Sequence, residues 1–500
     1  MRKRVATVAA PRRVVVPPAS MRIPDHGWTE ERVFAALEAL RARDMPWRDG
    51  RTWAYVYDPG PEAEAVLKRA FMMFLSENAL DPTVFPSVLA LETQLVAMAA
   101  AHLGGDDEVV GNFTSGGTES IILAVKTARD HARATRPEVT APEIVLPATA
   151  HAAFQKACHY LDVTPVVVPV DPATFRADVD AVRAAIGPNT VLLVGSAISY
   201  AHGVVDPIEA LGALALERGL LLHVDACMGG FLLPYFRRLG APVPPFAFDV
   251  AGVTSVSMDL HKYAFAAKGA SVLLHRSRAL RRHQFYACAN WTGYTIVNPT
   301  VQSTKSAGPL AAAWAVLHFI GDDGYLEIAR QVVDATRRIA AGIRAIPGLA
   351  LHGEPDMNLV AFTTTDDASV FHIVDEMKAR GWYVQPQLRF DSSKENIHLS
   401  INPASVRWVD ALLADLRTCT DVARARPAAG AAIREALAGV DLSSLAPEQL
   451  GGLLAAVGVD GAALPERMAE INETLNALPP AVREKLLIEF LNDLYRHRDG

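Results

Sequence analysis

Between residues 112 and 286 the chain alternates short apolar runs with helical stretches. Strand-like segments lie near Glu143, Pro165, Thr190, Leu220, Val253 and Ser271, and the residues between them have helical spacing. Strand, helix and strand in succession bury their apolar faces when each helix crosses back over a sheet whose strands run the same way. The pattern therefore restricts this region to an α/β fold, a mostly parallel sheet covered by helices on both faces. Five hundred residues, half of them hydrophobic, exceed what one small core holds, so appendages must flank the sheet.

Residues 106–306 are expected to form the sheet domain. Before it, 1–25 read as a disordered leader and 26–105 as a helical segment, in which Trp28, Val33, Ala36 and Leu37 share one side of a helix. After it, 307–425 hold an alanine-rich linker helix (307–345) and a small α+β domain, with strands at 358–363, 382–385 and 397–401 around a helix at 368–380. A helical extension over 426–500 closes the chain. Its last helix carries an apolar stripe of Val482, Leu486, Leu487, Phe490, Leu491 and Leu494 that must pack on something.

Composition excludes several function classes. A net charge of −7 gives no basic footprint for nucleic acid. Cys158, Cys227, Cys288 and Cys419 are widely spaced, which suits reduced thiols in a cytoplasm better than a disulfide scaffold or a zinc site. No apolar run approaches the roughly 18 residues that a membrane helix needs, and the best candidate, 311–320, contains His318. The basic start from Arg2 to Arg13 precedes an apolar stretch too short and too proline-broken for a signal peptide. The chain is read as a soluble, cytoplasmic protein without a membrane anchor.

Four segments carry chemistry. Residues 114–120 read Thr-Ser-Gly-Gly-Thr-Glu-Ser directly before a long helical pattern. Small residues there let backbone N–H groups approach an anion, and the helix N-terminus adds a favourable dipole, so Ser115, Gly116, Gly117 and Thr118 are expected to form a phosphate cradle. His151 follows the apolar run 144–146, at the strand edge where open parallel sheets place ligands and where a flat imidazole can stack on a ring. Asp225 closes the strand Leu-Leu-Leu-His-Val, where a carboxylate needs a partner. His261 and Lys262 end the stretch Ser-Met-Asp-Leu-His-Lys. Each segment has an ordinary structural reading: a helix cap with a glycine turn, a helix-capping histidine, a turn-capping aspartate, a solvated strand end. Their order suits pyridoxal 5'-phosphate. A lysine can hold that cofactor as a Schiff base while an aspartate keeps its pyridine nitrogen protonated, and together they make an electron sink.

The same segments, with Ala-His-Ala-Ala-Phe, His-Val-Asp-Ala-Cys-Met-Gly-Gly-Phe and His-Lys-Tyr-Ala-Phe-Ala-Ala-Lys-Gly, resemble the signature blocks of the sphingosine-1-phosphate lyase family. That family lies in the fold-type I, group II decarboxylase superfamily, which implies a mostly parallel sheet of seven strands, and the likeness runs from about Trp53 to near His398. The resemblance implies Lys262 as the Schiff-base lysine, Asp225 as the pyridinium partner and His151 as the ring-stacking residue. Gly117, Thr118 and His261 would hold the cofactor phosphate, and a homodimer with shared active sites would be expected. An amino substrate would displace Lys262 to form an external aldimine. Loss of a proton from a Cβ hydroxyl then leads to retro-aldol cleavage, whereas a carboxylate held perpendicular to the ring leaves as carbon dioxide.

Substrate contacts follow from the resemblance as well. Lys268 matches a second lysine near the substrate's polar head, Tyr57 a tyrosine with a similar role, and Tyr200 with His202 a further segment lining the site. Asn78 fits the family pattern, but Asp81 stands where the family usually has histidine, and a carboxylate there would repel a substrate phosphate. Residues 302–308, Gln-Ser-Thr-Lys-Ser-Ala-Gly, replace a Gly-Ser-Arg-type loop, and Ala201 replaces a proline. Ser303 and Lys305 are expected to reach a cofactor phosphate across a subunit boundary. The expectation is a pyridoxal phosphate-dependent carbon–carbon lyase. An amino-acid decarboxylase of the same superfamily is the second reading, and a cofactor-binding protein without turnover the third.

Overall fold

The computed structural model describes residues 23–42, 44–426, 435 and 466–495. There are two compact units, one of 48–438 with 467–477 and one of 1–47, 439–466 and 478–500. The first contains a seven-stranded sheet of order β1-β7-β6-β5-β4-β2-β3. Its strands are β1 Val110–Thr114, β2 Glu143–Pro147, β3 Thr164–Val168, β4 Thr190–Ser196, β5 Leu221–Asp225, β6 Ser255–Met258 and β7 Ser271–His275.

β3, β2, β4, β5 and β6 run parallel. β7 is antiparallel to β6, and β1 is antiparallel to β7. The two reversals cancel, so the C-terminal ends of β1, β2, β4, β5 and β6 open on one edge. Side-chain alternation feeds two cores. Ile144, Leu146 and Val194 pack with the helices Gly117–Thr135 and Ala153–Leu161, whereas Val145 and Leu193 pack with the helix Ile208–Arg218. All of β4 is buried, and its centre, 191–194, reads as an unbroken apolar run.

A hairpin of β8 Tyr286–Cys288 and β9 Ile296–Asn298 follows. The helical stretch Ala307–Arg344 then leads to an antiparallel sheet of order β10-β11-β13-β12, with the helix Val370–Ala379 between its strands. These are β10 Leu349–Leu351, β11 Leu359–Thr364, β12 Gln385–Gln387 and β13 Asn396–Ser400. Three details depart from the sequence reading. The linker helix breaks at Gly321 (φ 67°, ψ 171°), a backbone conformation open to glycine. β10 has no counterpart among the expected strands. β12 starts at Gln385 because the preceding segment is engaged elsewhere: Tyr383 bridges Thr52, and the Trp53 N–H donates to the Tyr383 carbonyl.

In the second unit the helix Glu30–Arg41 buries none of its side chains, and the expected apolar side, with Val33 and Leu37, is exposed. The helix Pro480–Leu494 buries Val482 and Leu486, while Leu487, Leu491 and Leu494 of the expected stripe are exposed. Apart from 23–25, the leader expected over 1–25 lies outside the described residues, as does most of the extension expected over 426–500.

Candidate active site

β1 delivers the glycine turn to the sheet edge. Gly116 has φ 152°, in the region that favours glycine. Gly117 has no room for a side chain, since a Cβ there would lie 2.8 Å from Cys227 Sγ and 2.9 Å from Asp259 Oδ1. The helix Gly117–Thr135 starts at this turn and directs its first N–H groups outward. Thr114 Oγ1 lies 2.6 Å from Ser120 Oγ, and Ser120 Oγ 3.0 Å from Ser271 Oγ, which fixes the helix start against β1 and β7. Glu119, not singled out from the sequence, ties two loops together. Its Oε2 accepts from the Ser115 N–H (2.6 Å) and its Oε1 from the Val301 N–H (2.8 Å).

β6 ends at Met258, and the turn after it carries Asp259, His261 and Lys262. The Lys262 Nζ lies 2.9 Å from Asp259 Oδ2 in a nearly dry environment, Asp259 being 3 % exposed. Burial works against the Lys262 ammonium. The Asp259 carboxylate, helped by Cys227 and Asp225, outweighs that cost and holds the amine above its ordinary range. Burial likewise works against the Asp259 carboxylate, and Lys262 and then His261 reverse the effect, so its pKa is lowered. His261 Nδ1 accepts from the Ala270 N–H (3.2 Å), which leaves the ring proton on Nε2, 3.5 Å from Asp259 Oδ2. Burial pushes His261 below its usual pKa.

Asp225 ends β5. Its Oδ1 accepts from the Cys227 N–H (3.0 Å) and from the Ser257 hydroxyl (3.4 Å), and its Oδ2 accepts no hydrogen bond among the described residues. His151, in the turn after β2, is exposed, and its Nδ1 accepts from the Ala153 N–H at 3.1 Å. It therefore caps the helix Ala153–Leu161 and at the same time faces the site.

One cavity of about 340 Å³ gathers Ser115, Gly116, Gly117, Thr118, His151, Tyr200, Asp225, His261 and Lys262, with Asp259 and Cys227. It suits pyridoxal phosphate in size and in its donor set: a side-chain-free glycine turn at a helix N-terminus for the phosphate, a carboxylate oxygen with no other partner for a ring N–H, and a primary amine. A second cavity of about 310 Å³ shares His151 and Tyr200 and is otherwise lined mainly by apolar groups such as Val170, Phe175, Leu388 and Phe390. His202 belongs to this second cavity. Its ring stacks on Phe175 at 4.2 Å, its Nε2 lies 3.0 Å from Ser393 Oγ, and burial lowers its pKa to about 3. Tyr200 donates to Gln385 Oε1 (2.6 Å).

The remaining sequence-predicted residues do not line the first cavity. Tyr57 stands behind Met228, its hydroxyl 3.9 Å from Met228 Sδ and its ring edge-on to Tyr263 at 5.1 Å. Lys268 Nζ sits 4.3 Å over the Tyr57 ring and donates to the His261 carbonyl (3.3 Å). Burial, with the Lys262 charge second, lowers its pKa to about 8. Asn78 Oδ1 accepts from the Leu80 N–H at 3.1 Å. Asp81 is an exposed turn residue whose Oδ1 accepts from the Thr83 hydroxyl (2.6 Å) and N–H (2.8 Å), bonds that lower its pKa. Ser303 is exposed. Lys305, expected to reach the cofactor phosphate, instead turns into the core, with its Nζ 2.7 Å from Glu92 Oε2 and 3.0 Å from the Phe113 carbonyl.

Residues 49–365 match the family model described as the pyridoxal-dependent decarboxylase conserved domain, and 431–493 match one for the C-terminal HTH domain of pyridoxal-dependent enzymes. The sphingosine-1-phosphate lyase of Oryza sativa subsp. japonica is 41% identical over 403 residues, 79% of this chain and 73% of that protein. That of Dictyostelium discoideum is 37% identical over 80% of this chain and 74% of its own length. The structure of the Burkholderia pseudomallei K96243 sphingosine-1-phosphate lyase superposes with a TM-score of 0.78 at 35% identity, covering 86% of this chain and 98% of that one. A family model spanning more than half of the chain, and relatives alike over most of both lengths, carry the conclusion that the chain belongs to the pyridoxal-dependent decarboxylase family and, within it, to the sphingosine-1-phosphate lyase group.

Proposed function

We propose that this pyridoxal phosphate-dependent lyase cleaves the Cα–Cβ bond of an amino alcohol to an aldehyde and an amine. The observation that carries the reading is a single cavity lined by Lys262, Asp225, His151 and the glycine turn. When bound, the cofactor supplies an aldehyde that captures amines and a protonated ring that draws electrons from the substrate's Cα. Gly116, Gly117 and the first N–H groups of the helix hold its phosphate, with Ser115, Thr118 and His261 beside them. Asp225 Oδ2 would keep the ring nitrogen protonated, and the His151 imidazole would lie against the ring. Lys262 is the capturing amine, and Asp259, 2.9 Å away, holds it as the ammonium until its proton is lost to solvent.

Lys268 takes the proton from the substrate's Cβ hydroxyl, a role suited to an amine whose pKa burial has brought to about 8. Tyr57 holds Lys268 in place through its ring face. Tyr200 and His202 line the second, mainly apolar cavity, which receives the part of the substrate remote from the reacting carbon.

The enzyme acts as a homodimer in the cytoplasm. Support comes from the exposed apolar side chains Met72, Met73, Val84, Trp291, Tyr294 and Val301, on the same segments as Asn78, Asp81 and Ser303, which the partner's cavity would then receive. No described helix is long and apolar enough to cross a membrane, and the four cysteines are free. In that assembly the Asp81 carboxylate disfavours a phosphorylated substrate. Domain limits near 25, 105, 306 and 425 belong to the same reading.

The test is product analysis with phosphorylated and plain amino alcohols beside amino acids. An aldehyde from the amino alcohols supports the lyase reading. Carbon dioxide from amino acids alone supports the decarboxylase reading.

A further inference from the structure

Beneath Asp225, on the side away from the cavity, lies a buried polar file that the function has not absorbed. His223 and Asp225 are two apart on β5, and Ser255 and Ser257 face them in register on β6. Strand alternation puts all four on one face. His223 is completely buried, in a position where an unpaired ring nitrogen would be costly. Both nitrogens are paired: Nδ1 lies 2.9 Å from Ser255 Oγ and Nε2 3.2 Å from Ser257 Oγ. Ser257 Oγ in turn lies 3.4 Å from Asp225 Oδ1, a long contact, and 3.4 Å from Cys227 Sγ.

Proton counting gives this file a direction. Asp225 as a carboxylate only accepts, so the single Ser257 proton points to Oδ1. Ser257 Oγ must then accept from the histidine, which places the ring proton of His223 on Nε2. Nδ1 is left to accept from the Ser255 hydroxyl. Burial holds His223 neutral, with a pKa of about 4, so there is one ring proton to place. All the donors along the file therefore point toward Asp225. Together with the Cys227 N–H at 3.0 Å they occupy Oδ1 and leave Oδ2 to the cavity.

We infer that His223 is a positioning residue, which acts through Ser257 to fix the orientation of the Asp225 carboxylate against the ring nitrogen of the cofactor. The inference rests on the proposed roles of Asp225 and Lys262 and goes beyond them, since neither His223 nor Ser257 touches the cavity's contents by that reading. Loss of the file lets the carboxylate rotate. The bound cofactor then has a weaker and less well aligned partner for its ring proton.

The experiment compares Ser257→Ala, His223→Leu and His223→Gln with the wild type, by pyridoxal phosphate titration of the apoprotein and by the absorption spectrum of the bound cofactor. Borohydride trapping on Lys262 in the wild type is the reference. Ser257→Ala and His223→Leu should each weaken cofactor binding by about tenfold, the scale of one hydrogen bond to a charged group, and should shift the absorption band. The double variant should lose no more than either single one, because a broken chain is broken once. His223→Gln, whose amide can still donate to Ser257, should stay within about threefold of the wild type. Ser257→Ala removes one oxygen and creates little void, so it remains informative if His223→Leu does not fold. A Ser257→Ala protein with wild-type affinity and spectrum overturns the inference, as does a folded His223→Gln protein as weak as His223→Leu. Wild-type protein that captures no cofactor on Lys262 overturns the proposed function instead, and the two failures are distinct.

Discussion

The Lys262 ammonium is paired at 2.9 Å with Asp259, a carboxylate three residues earlier in the same turn. Capture of an aldehyde needs the neutral amine, so in the role proposed for Lys262 this pair would set the pH at which the cofactor is taken up. Replacing Asp259 by Asn removes the largest of the influences that raise the Lys262 pKa, so burial, which lowers it, is opposed only by Cys227 and Asp225. Cofactor capture by the apoprotein should then reach its plateau at lower pH, by about one unit or more. Stopped-flow absorbance between pH 6 and 10 measures it, and coincident profiles would exclude Asp259 from this role.

Gly117→Ala tests the cradle. The added methyl meets Cys227 Sγ at 2.8 Å and Asp259 Oδ1 at 2.9 Å, so those groups must move. The cost should be about 1–3 kcal/mol of stability, with a marked loss of cofactor affinity. Denaturant unfolding and cofactor titration read the two effects separately.

Lys268 should leave a signature in the pH profile. With a pKa of about 8, it is mostly charged at pH 7 and mostly neutral at pH 9. If its neutral form accepts the substrate's hydroxyl proton, kcat rises with pH and levels off above about 8. Lys268→Met should abolish that limb and lower kcat at least about a hundredfold. A Met variant that keeps the same limb would assign it to another group.

Asp81→His addresses the substrate's head group. The native carboxylate has a lowered pKa because Thr83 donates to it twice, so it is charged throughout the neutral range. Histidine there should raise kcat/KM for phosphorylated amino alcohols about tenfold or more relative to their unphosphorylated counterparts. An unchanged ratio would mean that Asp81 does not meet the substrate.

Lys305→Met should destabilise the first unit by about 3–5 kcal/mol, because it strands the Glu92 carboxylate beside the buried Phe113 carbonyl. Glu92→Gln in the same background should recover part of the loss. Additive losses in denaturant unfolding would argue against a coupled pair.

Much of the site was legible because it lies at strand ends, where the sequence itself marks the place. His151 and Asp225 follow apolar runs, Thr114 to Thr118 and Lys262 follow strands of mixed character, and the sheet brings all these strand ends to one edge. Residues that act through a neighbour were hidden. Glu119 matters because Val301 folds back onto it, His223 because Ser257 lies beside it in register, and Asp259 because its turn brings Lys262 close. None of these pairings is local in a way that periodicity records. Lys305 misled for the same reason, since its partner Glu92 lies far off in the chain. In the small sheet, hydrophobicity located the strands, but the competition of Thr52 for Tyr383 decided where β12 begins.

β1 stands at the margin of the seven-stranded sheet, and among the described strands it pairs with β7 alone. The proposed phosphate cradle hangs from its end, whereas Asp225 and Lys262 follow strands in the interior. Marginal strands fray before central ones do, so on warming the cofactor's phosphate grip should slacken while the amine and the carboxylate are still held in place. Loss of the yellow colour would then run ahead of global melting, and amides of β1 would exchange with heavy water sooner than those of β4.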